Sequence, residues 1–172
     1  MVQNNTPSLI AVLEVFFKEP NTIHFIKEIS RKIKLAPTSV RNNIKHLLKS
    51  NIIIIKKSKP FDGYIANRDN VEFLWYKRVY NLYILKDLTA EIINQLHPRA
   101  IILFGSYSKG EDVETSDIDI IIISKVEKQL KLESIEKKLQ RNIHLIIIDD
   151  LSKLDKNIHK KTLNGIVLHG EI

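Results

Sequence analysis

Cysteine is absent from all 172 residues, so the chain can hold neither a disulfide framework nor a thiolate metal site. That absence agrees with a reducing cytosol. Glycine and proline number five each, too few for a disordered or low-complexity chain. No run approaches the roughly 18 uninterrupted apolar residues of a membrane span. The opening Met1-Val2-Gln3-Asn4-Asn5 has no basic stretch leading into an apolar one, so no signal peptide is expected. What is present is an apolar fraction of 44%, ordinary for a folded chain, and length for one full domain or two small ones. A cytoplasmic protein with no membrane partner is the expectation.

The formal net charge of +7 is unevenly spread. Residues 1–72 hold 12 Lys/Arg against 6 Asp/Glu, whereas residues 73–172 hold 15 against 14. A basic front half beside a near-neutral back half points to a polyanion as partner of the front half. A solvated lysine-rich surface would give the same composition, so the positions of the charges have to decide.

Three short helical patterns open the chain. The first runs from about Ser8 to Lys18, with Ile10, Leu13, Phe16 and Phe17 at helical spacing, and stops near Pro20. The second covers about His24 to Lys32, with Phe25, Ile26, Ile29 and Ile33 on one face. The third opens at Pro37, a favoured first-turn position for proline, carries Val40, Ile44, Leu47 and Leu48, and ends at Asn51. A β-rich run, Ile52 to Lys57, then leads through Lys59-Pro60-Phe61-Asp62-Gly63 into a second short strand from Tyr64 to Ala66. Three helices followed by a hairpin resemble a winged helix-turn-helix domain over residues 7–68. Thr38, Ser39, Arg41, Asn42 and Lys45 fall between the apolar positions of the third helix, the element that such domains place in a major groove. Lys56, Lys57 and Lys59 decorate the hairpin, where a wing meets phosphates. DNA is the expected partner, and a dimer suits the reading of paired half-sites.

The stretch from Asn70 to His97 reads as helical and rich in apolar residues (Phe73, Leu74, Trp75, Tyr76, Val79, Tyr80, Tyr83), too dense for a solvated linker. Such a stripe is expected to be core or interface. The organisation that follows is a winged helix domain over 1–69, a helical connector over 70–84 and a second domain over 85–172. The fold class is thus two-domain, α+β with α/β character.

In the back half, Ala100-Ile101-Ile102-Leu103-Phe104 is an apolar run of strand length ending at Gly105-Ser106. A loop from Tyr107 to Ser116 leads to a second strand, Asp117 to Ile123. A helix from about Val126 to Gln140, a strand from Asn142 to Ile148, a helix from about Leu151 to Thr162 and the apolar Ile166-Val167-Leu168 complete a small mixed sheet with helices against it. Residues two apart on a strand share a face, so Asp117 and Asp119 present adjacent carboxylates. Such a pair repels itself unless a cation sits between, and hard divalent ions with oxygen ligands suit it. Gly105 permits close backbone approach, Ser106 offers a hydroxyl, and Lys109 could neutralise a terminal phosphate. Together these residues suit a metal–nucleoside triphosphate.

Gly105-Ser106, ten intervening residues and Asp117-Ile118-Asp119 resemble the signature of the DNA-polymerase-β-like nucleotidyltransferase superfamily, and its minimal branch in particular, over residues 85–170. The resemblance implies that Gly105 and Ser106 hold the triphosphate and that Asp117 and Asp119 hold Mg2+, or Mn2+, with ATP or another nucleoside triphosphate as substrate. It also implies a third carboxylate on the next strand. Here that run is Asn142-Ile143-His144-Leu145-Ile146, and His144 stands at the expected position. Asp149 has the wrong parity, and Asp150 lies roughly 20 Å further along a regular strand. His144 could act as a general base or ligate a softer ion; a lone histidine is otherwise a structural residue. The remaining histidines show no ligand spacing.

Three readings stay open. The protein transfers a nucleoside monophosphate from ATP to a hydroxyl of a protein or small molecule; minimal nucleotidyltransferases often accompany small helical partners in toxin–antitoxin pairs. Or it is a DNA-binding regulator with a degenerate, nucleotide-sensing transferase domain. Or the basic front half grips a nucleic acid for extension at its 3′ end. Whether it is an enzyme turns on the third carboxylate.

Overall fold

The computed structural model describes residues 7–126 and 128–171. The chain divides into two compact units, one ending at Leu74 and the other beginning at Trp75. The opening residues read above for a signal peptide lie outside the described ones. Among the described residues no helix is long and apolar enough to cross a membrane.

The first unit holds α1 (Ser8–Lys18), α2 (Ile26–Ile33), α3 (Pro37–Lys49), β1 (Ile53–Lys56) and β2 (Gly63–Ala66). Proline opens α3 at a position where its missing N–H goes unused. Lys34 ends α2 in the left-handed region (φ 54°), and Asn51 turns the chain after α3 in the same way (φ 54°). β1 and β2 pair antiparallel from Ile53 opposite Ala66 to Lys56 opposite Gly63. Gly63 therefore belongs to the strand rather than to the turn. A Cβ there would collide with Ile23, because His24 bridges to Tyr64 beside it. The core comprises Val12, Phe16, Phe17, Ile29, Val40, Ile44, Leu47, Ile53 and Phe73. Phe17 and Phe73 pack with ring centroids 5.5 Å apart. Two expected core positions differ. Ile10 is 46% exposed, with Val12 and Val15 buried instead, because α1 is apolar around most of its circumference and spacing cannot select its inner face. Phe25 is 37% exposed because it precedes α2, where its N–H donates to Glu28 Oε2 at 3.3 Å.

The second unit begins within α4 (Val71–Ile84) and continues through α5 (Lys86–Leu96), β3 (Ala100–Phe104), α6 (Gly105–Lys109), β4 (Ile118–Ile123), α7 (Glu133–Leu139), β5 (Ile143–Ile148), a 3-10 turn (Leu151–Lys153), α8 (Lys156–Thr162) and β6 (Ile166–Gly170). Its sheet has the order β5-β4-β3-β6. β3 runs antiparallel to β4 and β6, whereas β4 and β5 are parallel, so the sheet is mixed. Ile101, Leu103, Ile118, Ile120 and Ile122 meet Leu85, Leu88, Ile92 and Leu96 on one face. Ala100, Ile102, Phe104, Ile121 and Ile123 form the other core, closed by Leu151, Leu154 and Ile158. With both faces covered, the strands read as unbroken aliphatic runs.

The expected helix from Val126 to Gln140 is confined to Glu133–Leu139. Ser124 ties down the chain after β4 by accepting from Val126 N at 3.0 Å, and only Leu132 onward packs under the sheet as a helix; Glu127 lies outside the described residues. The helix expected from Leu151 splits into the 3-10 turn and α8, because Asp150 and Asp155 each cap a separate start, accepting from Ser152 N and Asn157 N at 2.8 Å.

The connector meets the core expectation only at Phe73, which is buried in the first unit. Trp75, Tyr76, Val79 and Tyr83 are 59%, 41%, 52% and 65% exposed, and the buried positions of α4 in this unit are Lys77 and Asn81. These four side chains are thus not core. The reason is a polar partner for α4, described below.

Candidate active site

β3 is buried along its whole length and delivers the chain, still extended at Phe104, to the edge of the sheet. Phe104 pairs with Asp119, so the next residue lands against that carboxylate. Gly105 takes φ +71°, and a Cβ on it would collide with Asp119 Oδ2. Glycine is therefore required twice, for the turn and for the approach. The chain then winds into α6 rather than the loop expected. Ser108 Oγ donates to Gly105 O at 2.8 Å, and Gly110 ends the helix with φ 74°. A single turn is too short to show periodicity. Ser106 lies in its first turn, half-buried, with its carbonyl accepting from Glu111 N at 3.0 Å.

The parallel pairing of β4 with β5 sets the rest. Asp119 stands opposite His144, and Ile118 N bonds Asn142 O at 2.9 Å. Asp117 and Asp119 share a face and each has a neighbour on β5. Asn142 Nδ2 donates to Asp117 Oδ1 at 3.1 Å, and His144 Nδ1 lies 3.2 Å from Asp119 Oδ1. In the tautomer that donates Nδ1–H to this carboxylate, Nε2 is the acceptor nitrogen. The His144 side chain is 61% exposed and that of Asp119 29%, so both face the surface.

Asp149 and Asp150 lie past the end of β5. The Lys153 ammonium holds the Asp149 carboxyl below its ordinary range, at an Nζ–Oδ2 distance of 2.6 Å. Asp150 is lowered chiefly by the Ser152 amide. Lys109 is exposed at the far end of α6, 3.8 Å from Glu111.

Tyr107 follows Ser106 inward and is 3% exposed. Burial pushes its phenol up to about 12, the Asp112 charge adds to this, and a hydrogen bond to Arg141 opposes it. Arg141 also lines a depression of about 320 Å3 beside Asp117, with Ser116, Glu136 and Asn142.

Three residues escape the sequence reading altogether. Lys77 and Asn81, one turn apart on α4, bond to Asp112 in the stretch between Ser106 and Asp117. The available signal was two polar residues at i, i+4 on an otherwise apolar helix. His24 was also set aside for want of ligand spacing, yet it is fully buried with Glu19 and Glu28 beside it, their ligand atoms within 4.8 Å of one another. These groups are already engaged. Lys32 Nζ holds Glu19 Oε1 at 2.6 Å, Glu28 takes the Phe25 amide, and His24 Nε2 lies 3.1 Å from Glu19 O.

In the first unit, Thr38, Arg41, Asn42 and Lys45 are exposed on α3 and Ser39 half-exposed. Lys56, Lys57 and Lys59 are exposed on the hairpin, with Lys57 Nζ 3.0 Å from Asp62 Oδ2.

Residues 86–169 match a family model described as a nucleotidyltransferase domain. The match starts with α5 and ends in β6, and so contains Gly105, Ser106, Asp117, Asp119 and His144. No curated protein and no solved structure matches the chain. The match supports a nucleotidyltransferase domain in the second unit and nucleotidyl transfer as its chemistry.

Proposed function

We propose that this protein binds a metal–nucleoside triphosphate at Gly105, Ser106, Asp117 and Asp119 and transfers a nucleoside monophosphate to a hydroxyl of a protein or small-molecule acceptor. The observation carrying this is the approach of Gly105 to the Asp119 carboxylate, so close that a Cβ at residue 105 would displace that carboxylate. Two same-face carboxylates beside an imidazole form a hard donor set with one borderline nitrogen, which fits Mg2+ and tolerates Mn2+. Asp117 and Asp119 would hold the ion, whose chemistry is charge neutralisation on the triphosphate. Ser106 and the first-turn amides of α6 would orient the phosphates. The acceptor oxygen attacks the α-phosphorus, its proton passes to His144 Nε2, and pyrophosphate leaves. Asp119 keeps the ring in the tautomer that makes Nε2 the base.

The test uses ATP labelled at the α-phosphate, Mg2+ or Mn2+, and candidate acceptors, including a co-encoded small helical protein. Label should transfer, and Asp119→Asn should abolish it. Absence of label with both ions, while ATP still binds, would end the transfer reading.

A second reading has its own support. The exposed Arg41, Asn42 and Lys45 on α3, with Lys56, Lys57 and Lys59 on the hairpin, suit a winged helix on DNA. Combined with His144 in place of a carboxylate, this favours a regulator whose transferase domain senses nucleotide. Arg41→Ala should then weaken binding to the protein's own promoter, and affinity should fall steeply with salt. A salt-insensitive interaction would refute it.

A further inference from the structure

The ten residues between Ser106 and Asp117 have only a connecting role in the chemistry above, yet they contain a fully enclosed charge. Asp112 is 3% exposed and Lys77 is 1% exposed. Lys77 Nζ lies 3.1 Å from Asp112 Oδ2 and also donates to the Asp112 carbonyl. Asn81, likewise 1% exposed, donates to Asp112 Oδ1 at 2.7 Å and to Tyr107 O at 3.0 Å. Among the described residues no other Lys–Asp or Lys–Glu pair has both side chains buried.

A buried ion pair is rarely the most stable filling for its space; apolar residues of similar volume do as well or better. What it supplies is direction. Two side chains on one helix grip α6 at Tyr107 and the loop at Asp112, through both its carboxylate and its backbone. The rest of the loop is closed on itself, with Glu111 N on Ser106 O at 3.0 Å, Val113 N on Ser116 Oγ at 2.9 Å and Ser116 N on Val113 O at 3.0 Å. A displacement at Asp112 would pass to Ser106 on one side and to Asp117 on the other. α4 is itself seated by Leu85, which follows it in the core under the sheet.

We propose that Lys77, assisted by Asn81, is a positioning residue for the nucleotide site, holding the Asp112 loop so that Gly105-Ser106 and the Asp117/Asp119 pair keep the spacing a metal-bound triphosphate needs. The proposal rests on the transferase reading. Lys77 touches neither nucleotide nor metal, and it acts through the loop.

The experiment titrates full-length protein with Mn2+–ATP and Mg2+–ATP and records melting alongside. Wild type is compared with Lys77→Met/Asp112→Asn, which removes both charges at similar volume, and with Leu88→Ala, which loosens the same core without touching the loop. The double variant should melt within a few degrees of wild type yet bind the metal–nucleotide at least tenfold more weakly. Leu88→Ala should melt lower and bind normally below its transition. Equal affinity in wild type and double variant would overturn the positioning role. An equal loss in Leu88→Ala would also overturn it, since any loosening would then suffice. Failure of wild type to bind with either ion would instead remove the transferase reading and this role with it. Should the double variant not fold, Asn81→Ser decides in the same titration: a loss of affinity supports the role and unchanged affinity overturns it.

Discussion

Alkaline pH should unfold the second unit partly through one phenol. Tyr107 is buried beside Asp112, and its phenol is raised from 10.0 to about 12. The folded state therefore holds this proton more tightly than the unfolded chain does. Between the two values the unfolded state binds fewer protons, so stability falls as pH rises. The contribution is intact below about pH 10; by pH 11 about 1 kcal/mol is lost, approaching about 3 kcal/mol once both states are ionised. Replacement by phenylalanine removes the titration and, at all pH values, the hydrogen bond with Arg141. The comparison must therefore be of slopes rather than offsets. Urea unfolding in EDTA at pH 8, 9, 10 and 11, followed by fluorescence, suits the purpose, because the sole tryptophan, Trp75, lies in the same unit. Lysines and other tyrosines titrate in both proteins and cancel. Wild type should lose about 1 kcal/mol more than Tyr107→Phe between pH 8 and pH 11. Parallel slopes would show that the phenol ionises freely, and that the seal over α6 is looser than described.

Other expectations follow from single contacts. Gly105→Ala places a side chain at φ +71° against the Asp119 carboxylate, so it should cost about 1–2 kcal/mol for the backbone alone and abolish metal–nucleotide binding; normal affinity in a titration would refute the close approach. His144→Asp sets a second carboxylate opposite Asp119. It should tighten Mn2+ binding measured by electron paramagnetic resonance; label transfer should rise if the third position has decayed and fall if His144 Nε2 is the base, and unchanged Mn2+ affinity would count against a metal role for that position. Leu103→Ala opens the fully buried middle of β3 and should cost about 2–5 kcal/mol in urea unfolding; under 1 kcal/mol would contradict the central place of that strand. If the hairpin meets DNA phosphates, Lys56→Ala/Lys57→Ala should lower the slope of log affinity against log salt by roughly 2, and an unaltered slope would remove the hairpin from the interface.

Much of the fold is legible because aliphatic runs and punctuation agree. Ala100–Phe104 is uniformly apolar and ends at a glycine, and the strand has those bounds. Pro37 opens α3, and Asn51 turns the chain after it. Reading fails where periodicity carries no information. α1 is apolar on nearly every side, which hides its inner face, and the one-turn α6 is shorter than any period. The segment before α7 shows a different failure, since Val126 and Leu130, four residues apart, resemble one helix face, whereas only Leu130 and Leu132 pack against the core.

The site divides along the same physical line. Asp117 and Asp119 could be placed on one face from strand parity alone, since side chains alternate whatever the neighbours are, whereas His144 is tied to them only through the family resemblance. Which strands adjoin is a tertiary fact, and the register that brings Asp119 opposite both Phe104 and His144 is not written in any local pattern. α4 shows the converse. Its density of apolar residues points to core or interface, yet Trp75, Val79 and Tyr83 remain exposed while Lys77 and Asn81 are buried. The preference reverses because Asp112 waits on the other side. Burying that carboxylate unpaired would cost several kcal/mol, more than the roughly 1.5–3 kcal/mol gained by covering one large apolar side chain. A polar partner from the loop thus decides how the helix turns, and the decision can be seen only when helix and loop are read together.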